Sequence, residues 1–107
     1  METPMNAGPK PPKGLSSEAR RWWKRVVSEF AVDDTSGLML LQQALEAFDR
    51  VRQAQAVLKT EGLIVTNPAT GARHVHPAAK IEQDARMALL RYWRALGLDI
   101  EPPGGRK

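Results

Sequence analysis

The sequence predicts a mainly α fold of three helices, with a small β-hairpin between the second and the third. Two observations predict this class. Apolar residues recur at helical spacing in three segments, and residues that favour helix ends flank each segment. Between the second and third segments, a short β-branched run and a turn-forming run fit two strands and the turn that joins them.

Length and composition indicate one folded domain with two short tails. The chain has 107 residues, which suits a single domain with a core of modest size. Residues 1–14 are rich in proline and glycine and are expected to form a flexible basic arm. Residues 101–107 are expected to form a flexible tail, so the helical domain should span residues 15–100.

The first helix is predicted to begin near Ser16, which is a good N-cap residue. Trp22 lies about 100° from Trp23 around this helix, so one core is not expected to take both rings. We expect Trp22 to be half-buried at the edge of the core, and the alternative is a contact with a partner. The apolar face is expected to consist of Ala19, Trp23, Val26, Val27 and Phe30.

The second helix is predicted to begin between Asp33 and Ser36 and to run to about Thr60. A helix this long in a short chain is expected to keep apolar surface that its neighbours leave uncovered. We therefore predict packing against copies of the chain, and the alternative is a simple helical hairpin with the third helix. The predicted oligomer interface comprises Leu38, Leu41, Leu45, Phe48 and Val51 on this helix, with Leu63 and Val65 on the hairpin.

The hairpin is predicted from the residues that follow the second helix. Gly62 suits the left-handed position that ends a helix, and Leu63–Thr66 reads as the first strand. Asn67–Gly71 has turn chemistry, and Arg73–His76 can return antiparallel. A lone two-stranded hairpin is marginal in water, so we expect this one to pack on its own helices or against a second copy.

The third helix is predicted to span about Pro77 to Leu96 and to end at Gly97. Leu98 and Ile100 are expected to fold back onto it. Its buried face is expected to comprise Ile81, Ala85, Ala88 or Leu89, Tyr92 and Leu96.

The net charge of +4 is concentrated near the two ends of the chain. Clustered basic charge is typical of surfaces that attract nucleic-acid phosphates, and the alternative is a set of solvated helix faces. The residues expected to bind DNA are Lys10, Lys13, Arg20, Arg21, Lys24 and Arg25.

No catalytic or metal-binding pattern emerges from the sequence. The chain has no cysteine, and it contains no phosphate-binding loop, nucleophile elbow or paired-histidine zinc motif. His74 and His76 could share one side of a strand, but no third ligand accompanies them. Helix capping explains Asp33 and Asp34. We therefore predict no enzyme, no metal and no cofactor.

No apolar run approaches the roughly 20 residues that span a bilayer, and the N-terminal residues lack the apolar segment of a secretory signal. The sequence therefore predicts no membrane association.

Landmarks from residue 14 to residue 98 resemble the small subunit of phage terminases, in its short, helical branch. Order and spacing carry the resemblance, because no single motif in it is highly specific. The landmarks are Leu15-Ser16 with Glu18-Ala19 and Trp22-Trp23, Phe48-Asp49-Arg50, Leu58-Lys59 with Glu61-Gly62-Leu63, Val65-Thr66, Gly71, His76-Pro77-Ala78 and Leu96-Gly97-Leu98. The chain departs from the family pattern at residues 33–36 and after Leu98.

The resemblance implies a role in viral genome packaging. Small terminase subunits assemble as rings, recognise double-stranded viral DNA and regulate the terminase large subunit, which holds the ATPase and nuclease. The implied partners are DNA, the large subunit and further copies of this chain, and the implied location is the cytoplasm of the infected bacterial host. Two alternatives remain open: a small helix-turn-helix regulator and an oligomeric scaffold that binds no nucleic acid.

Overall fold

A computed structural model describes residues 8–104 of the chain. The predictions made for residues 1–7 and 105–107 lie outside the described residues. The elements, in chain order, are α1 (Ser17–Phe30), α2 (Thr35–Glu61), β1 (Ile64–Thr66), β2 (Arg73–Val75) and α3 (Pro77–Leu96). This order confirms the predicted fold class of three helices with a hairpin between the second and third.

Helix α1 begins and packs as the sequence predicts. The Ser16 hydroxyl accepts a hydrogen bond from the amide of Ala19 at 3.0 Å, which satisfies one of the unpaired amides of the first turn. Trp23 is buried, whereas Trp22 is half-buried and sets its ring edge-to-face against Trp93 on α3, with centroids 5.8 Å apart. The prediction that Trp22 flanks the core is therefore confirmed.

Helix α2 is the central helix of the fold. Its N-cap is Asp34, whose carboxylate accepts from the amide of Gly37 at 3.1 Å. It packs against both other helices, and side chains around much of its circumference are buried as a result. The buried residues are Leu41, Ala44, Leu45, Ala47, Phe48, Asp49, Val51 and Ala54.

This packing corrects the premise of the predicted oligomer interface. Leu41, Leu45, Phe48 and Val51 have no exposed surface, because α1 and α3 cover them within one protomer. These four side chains therefore cannot contact a second copy of the chain. Leu38 is half-buried against the same core.

The hairpin pairs β1 and β2 antiparallel, with Ile64 opposite Val75. Gly62 ends α2 at φ 85°, ψ 157°, which lies outside the left-handed helical region that we predicted. Only glycine adopts this backbone conformation readily. The sequence therefore predicted the residue that ends α2 correctly but its backbone conformation wrongly. β2 ends at Val75 because His76 becomes the N-cap of α3.

Helix α3 has the predicted bounds but a partly different buried face. Ala85 and Leu89 are buried as predicted, and Trp93 is buried although we had not placed it there. The prediction for Ile81 is wrong, since 53% of this residue is exposed. Ile81 shares a row of four-residue spacing with Ala85, Leu89 and Trp93, and only this first member of the row, near the start of α3, is exposed.

The segment after α3 folds back onto the core. Leu98 and Ile100 pack against it as predicted, and the indole N–H of Trp93 donates to the carbonyl oxygen of Ile100 at 3.0 Å. Pro103 is fully buried, so residues 101–104 of the predicted flexible tail are packed. No helix among residues 8–104 is long and apolar enough to cross a membrane.

Candidate nucleic-acid and assembly surfaces

The outer face of α1 carries four of the basic residues predicted to bind DNA. Arg20, Arg21, Lys24 and Arg25 are all exposed, on the side of the helix opposite the buried Ala19, Trp23 and Val26. At about 100° per residue, Arg21 and Lys24 lie near the middle of this outer face, with Arg20 and Arg25 toward its two edges. We call these four residues the α1 basic face.

The acidic residues of α1 lie at one edge of the basic face, and neither pairs with a residue at its centre. Glu18 pairs with Arg52 of α2 at 3.1 Å, and Glu29 pairs with Arg25 at 3.4 Å. Within residues 8–104, neither Arg21 nor Lys24 has an ion-pair partner. The centre of the basic face therefore carries positive charge that no neighbouring carboxylate neutralises.

Contacts also orient the two edges of the basic face. The Arg20 guanidinium donates through Nη1 to the carbonyl oxygen of Leu15 at 2.7 Å. The Arg25 guanidinium lies 5.1 Å from the ring centroid of Trp22, within the range of a cation–π interaction. These contacts leave each guanidinium exposed but restrict where it points.

The described part of the N-terminal arm lies along α1. The carbonyl oxygen of Pro9 accepts from the indole N–H of Trp23 at 2.8 Å, and a Cβ built at Gly8 would lie 3.0 Å from Cγ1 of Val27. The arm thus runs antiparallel to the helix that follows it. Lys10 and Lys13 are exposed on this segment. Lys10 follows the contact of Pro9 with α1, whereas Lys13 lies at the junction with α2 and lines a surface pocket with Asp49 and Arg50. Residues 8–14 are in contact with the helix rather than detached from it.

A buried carboxylate fixes the junction of arm and helix. Asp49 of α2 is only 8% exposed, and it accepts from the amide of Ser16 at 2.8 Å and from the Ser16 hydroxyl at 2.5 Å. The sequence analysis assigned no role to Asp49. One signal was present: a carboxylate lies between Phe48 and Val51, on a stripe that is otherwise apolar.

The second candidate surface is apolar and lies at the hairpin. Ile64 and Val75 are cross-strand neighbours and are 45% and 55% exposed. Leu63 and Ile81 are similarly exposed, while Val65 is half-buried. We use the name hairpin apolar surface for these exposed side chains at and beside the hairpin, Leu63, Ile64, Val75 and Ile81; alternation along the chain turns Leu63 away from Ile64 and Val75. Of the seven predicted interface residues, Leu63 offers the most exposed surface.

The two histidines at the hairpin have different surroundings. His76 accepts through Nδ1 from the amide of Ala78 at 2.9 Å, so its other nitrogen carries the proton and donates to Glu61 at 2.7 Å. Both ring nitrogens are thus occupied, and His74 is exposed on β2. Among the described residues, no group of three or more possible ligands could hold a metal ion.

Comparison with known families adds to this geometry. A family model described as "Phage terminase, small subunit" matches residues 19–102. The chain belongs to the phage terminase small-subunit family. The resemblance read from the sequence is thereby confirmed, and membership supports a role in phage packaging. No curated protein and no solved structure matched the chain.

The landmarks of this small-subunit sequence now have structural explanations. Ser16 and Asp49 join α1 to α2, and His76 with Pro77 starts α3. The matched range contains α2, the hairpin and α3 in full, together with most of α1. Lys10 and Lys13 precede the matched range, so membership of the terminase family assigns nothing to the arm.

Proposed function

We propose that this chain acts in phage genome packaging as a homo-oligomer that binds double-stranded DNA and regulates a separate terminase large subunit. We place this activity in the cytoplasm of the infected bacterial host. Catalysis of ATP hydrolysis and of DNA cleavage belongs to the large subunit, and the present chain supplies DNA recognition without a cofactor. Membership of the terminase family supports the packaging role.

The observation that carries DNA binding is the unneutralised charge at the centre of the α1 basic face. Arg21 and Lys24 are exposed and unpaired among the described residues, and Lys10 and Lys13 lie on the adjoining arm. Lysine and arginine side chains that meet phosphates release bound counterions, which favours binding to any duplex sequence. We therefore assign the phosphate-contacting surface to the α1 basic face and the arm.

Charge distribution disfavours a helix-turn-helix regulator. The connection between α1 and α2 is four residues long, from Ala31 to Asp34, so its length alone permits that motif. A recognition helix presents its first residues to base edges and phosphates. The first fifteen residues of α2, from Thr35 to Asp49, contain no lysine and no arginine. DNA contacts are better supported on α1 than on α2.

We assign subunit contacts to the hairpin apolar surface. Of the residues predicted earlier, Leu63 and Val65 retain this role, and Ile64, Val75 and Ile81 join them because they are exposed. An exposed apolar cluster on a two-stranded sheet gains stability when a partner covers it. Native mass spectrometry tests the assembly directly. A ring-sized oligomer is expected, and a monomer at micromolar concentration would contradict the assignment.

DNA binding is tested by fluorescence anisotropy with duplex DNA. The variant Arg21→Glu/Lys24→Glu should weaken binding at least about tenfold and reduce the salt dependence, because roughly two phosphate contacts are lost. The matched control Arg91→Glu/Arg94→Glu makes the same change in charge at two exposed residues of α3 that belong to neither candidate surface. If both variants lose the same affinity, only net charge matters and the basic face is not the site. Unchanged binding by both variants would mean that DNA is bound elsewhere on the chain, whereas absence of binding by the wild type would favour the scaffold alternative.

The regulatory role is tested with the large subunit. Adding this chain is expected to change the ATPase rate of the large subunit, whereas the chain alone should turn over no ATP and cleave no DNA. Hydrolysis by the purified chain that disappears on mutation of one of its own residues would contradict the assignment. An unchanged large-subunit rate, in the presence of the DNA that this chain binds, would count against regulation.

A further inference from the structure

We propose that Trp23 is a positioning residue for DNA binding: its indole N–H holds the proline-rich arm, residues 8–14, against α1, so that Lys10 and Lys13 extend the α1 basic face. This inference rests on the proposed function, because it assigns part of the same surface. It concerns a segment that precedes the range matched by the family model.

The arm is attached near both of its described ends. Trp23 is 3% exposed, and its N–H donates to Pro9 at 2.8 Å. One helical turn further along α1, Gly8 approaches Val27 so closely that a Cβ at position 8 would lie 3.0 Å from Cγ1 of Val27. At the other end, the buried Leu15 gives its carbonyl oxygen to Arg20 at 2.7 Å. These contacts fix the course of the segment between them.

The composition of the arm suits this kind of attachment. Pro9, Pro11 and Pro12 restrict the backbone before it docks, so the arm loses less conformational freedom than an ordinary segment. A tryptophan N–H that donates to a carbonyl of a proline-rich segment uses the same physics as aromatic grooves that recognise such segments. Lys10 lies between Pro9 and Pro11, and Lys13 lies in the turn that ends the proline-rich stretch.

Holding the arm on α1 lowers the conformational entropy that is lost when Lys10 and Lys13 bind DNA phosphates. A detached arm would have to be ordered each time its lysines met phosphates, and that ordering subtracts from affinity. An arm already held on α1 keeps Lys10 and Lys13 at fixed positions at the margin of the α1 basic face before DNA arrives. Trp23 therefore acts on DNA through the arm and need not touch the DNA itself.

A double-mutant cycle on DNA binding tests the inference. The proteins compared are the wild type, Trp23→Phe, Lys10→Gln/Lys13→Gln, and the variant that combines all three changes. Trp23→Phe keeps an aromatic ring in the core and removes the donor to Pro9. In the wild type, losing both lysines should weaken binding about tenfold and lower the salt slope by roughly two. In the Trp23→Phe background, the same loss should cost only about threefold or less, because the arm is no longer positioned.

Two further variants separate positioning from a general loss of stability. Gly8→Val leaves Trp23 unchanged but forces the arm away from Val27. In this background too, Lys10→Gln/Lys13→Gln should therefore weaken DNA binding only about threefold or less. Trp93→Phe is the matched control, because that indole N–H also holds a terminal segment, through Ile100, on a different helix. In the Trp93→Phe background, the lysine changes should keep their full effect.

Trypsin provides a readout that needs no DNA. It cleaves after Lys13 but is blocked after Lys10 by Pro11, so the rate of cleavage after Lys13 reports release of the arm. This rate should rise about threefold or more in Trp23→Phe and Gly8→Val, and not in Trp93→Phe.

The possible outcomes are distinguishable. Absence of DNA binding by the wild type would overturn both the proposed function and this inference. Wild-type binding with an undiminished lysine effect in Trp23→Phe, or with unchanged cleavage in Gly8→Val, would overturn the inference alone.

Discussion

The hydrogen-bonded junction of Ser16 and Asp49 should be a large local contribution to stability. The Asp49 carboxylate is nearly buried and accepts two hydrogen bonds from Ser16, at 2.8 and 2.5 Å. Hydrogen bonds to charged groups contribute about 1.5–3 kcal/mol each. Ser16 itself is exposed and can recover part of this from water. We therefore expect Asp49→Ala to lower the free energy of unfolding by about 2–4 kcal/mol, less than the sum of both bonds.

The conservative variant Asp49→Asn should cost less. The amide oxygen of asparagine can still accept from the Ser16 amide, and its NH₂ group can donate to the Ser16 hydroxyl oxygen. Both bonds then join neutral groups and are weaker than those to a carboxylate, so a loss of about 1 kcal/mol is expected. A larger loss for Ala than for Asn is the signature of the two hydrogen bonds rather than of the negative charge.

Urea unfolding followed by tryptophan fluorescence is the appropriate assay, because Trp22 and Trp23 both lie on α1. Measurements over a range of protein concentrations separate protomer stability from assembly. The matched control is Asp84→Ala, which removes an exposed carboxylate paired with Lys80 at 3.0 Å and should cost at most about 1 kcal/mol. If Asp49→Ala costs no more than Asp84→Ala, the junction does not hold α1 on α2.

Three further predictions follow from local contacts. His76→Ala should lower the free energy of unfolding by about 1 kcal/mol because α3 loses its N-cap, whereas His76→Asn should keep most of the stability; thermal unfolding compares the two. Gly104→Ala should destabilise the C-terminal segment by about 1 kcal/mol, since φ is +73° there and a Cβ would lie 3.3 Å from the Phe48 ring; amide exchange near α3 reports the effect. The Ser36 hydroxyl and the Gly37 amide hold the pKa of the Asp34 carboxyl below its ordinary value of 3.8. The stability that this lowering provides is present above the ordinary value and is lost as the pH falls through the folded one. The destabilisation by Asp34→Ala should therefore be constant well above pH 3.8 and shrink as the pH falls below that value, and a gap that stays constant would contradict the role of ionisation.

The helix boundaries were predictable because the signals for them are local. Ser16 and Asp34 cap their helices through their own side chains, and Gly62 and Gly97 end α2 and α3 with positive φ angles. Such choices depend on a few neighbouring residues and need no knowledge of the fold.

The assignment of faces failed where partners lie far away in the sequence. Leu45 and Phe48 were expected to meet another subunit, yet α1 and α3 cover them within one chain. Leu45→Asp is therefore expected to unfold the protomer rather than to dissociate an assembly. Periodicity shows that a face is buried, but it does not say whether the covering element comes from the same chain.

For the same reason, the sequence did not predict that the arm packs against α1. Prolines and glycines in residues 8–14 indicated flexibility, whereas the structure holds the segment through Trp23 and Val27, which lie 14 and 19 residues after the arm residues they contact. A side chain that is already accounted for as core, as Trp23 was, gives no sign that its polar edge has a separate partner. Only the geometry of the indole N–H reveals it.

The separation of the two candidate surfaces bears on how packaging proteins of this kind can be dissected. Helix α1 lies along the first part of α2, with Ser16 joined to Asp49 and Glu18 to Arg52. Three residues of the hairpin apolar surface, Leu63, Ile64 and Val75, follow the far end of α2, beyond Glu61, and Ile81 lies on α3. The ten residues from Arg52 to Glu61 span about 14 Å of helix between the α1 contacts and the hairpin strands. Substitutions on one surface therefore share no direct contact with the other, and their effects on DNA affinity and on assembly should combine independently. Any departure from independence would then measure avidity, since several weak DNA contacts act together only when assembly brings the subunits onto one duplex.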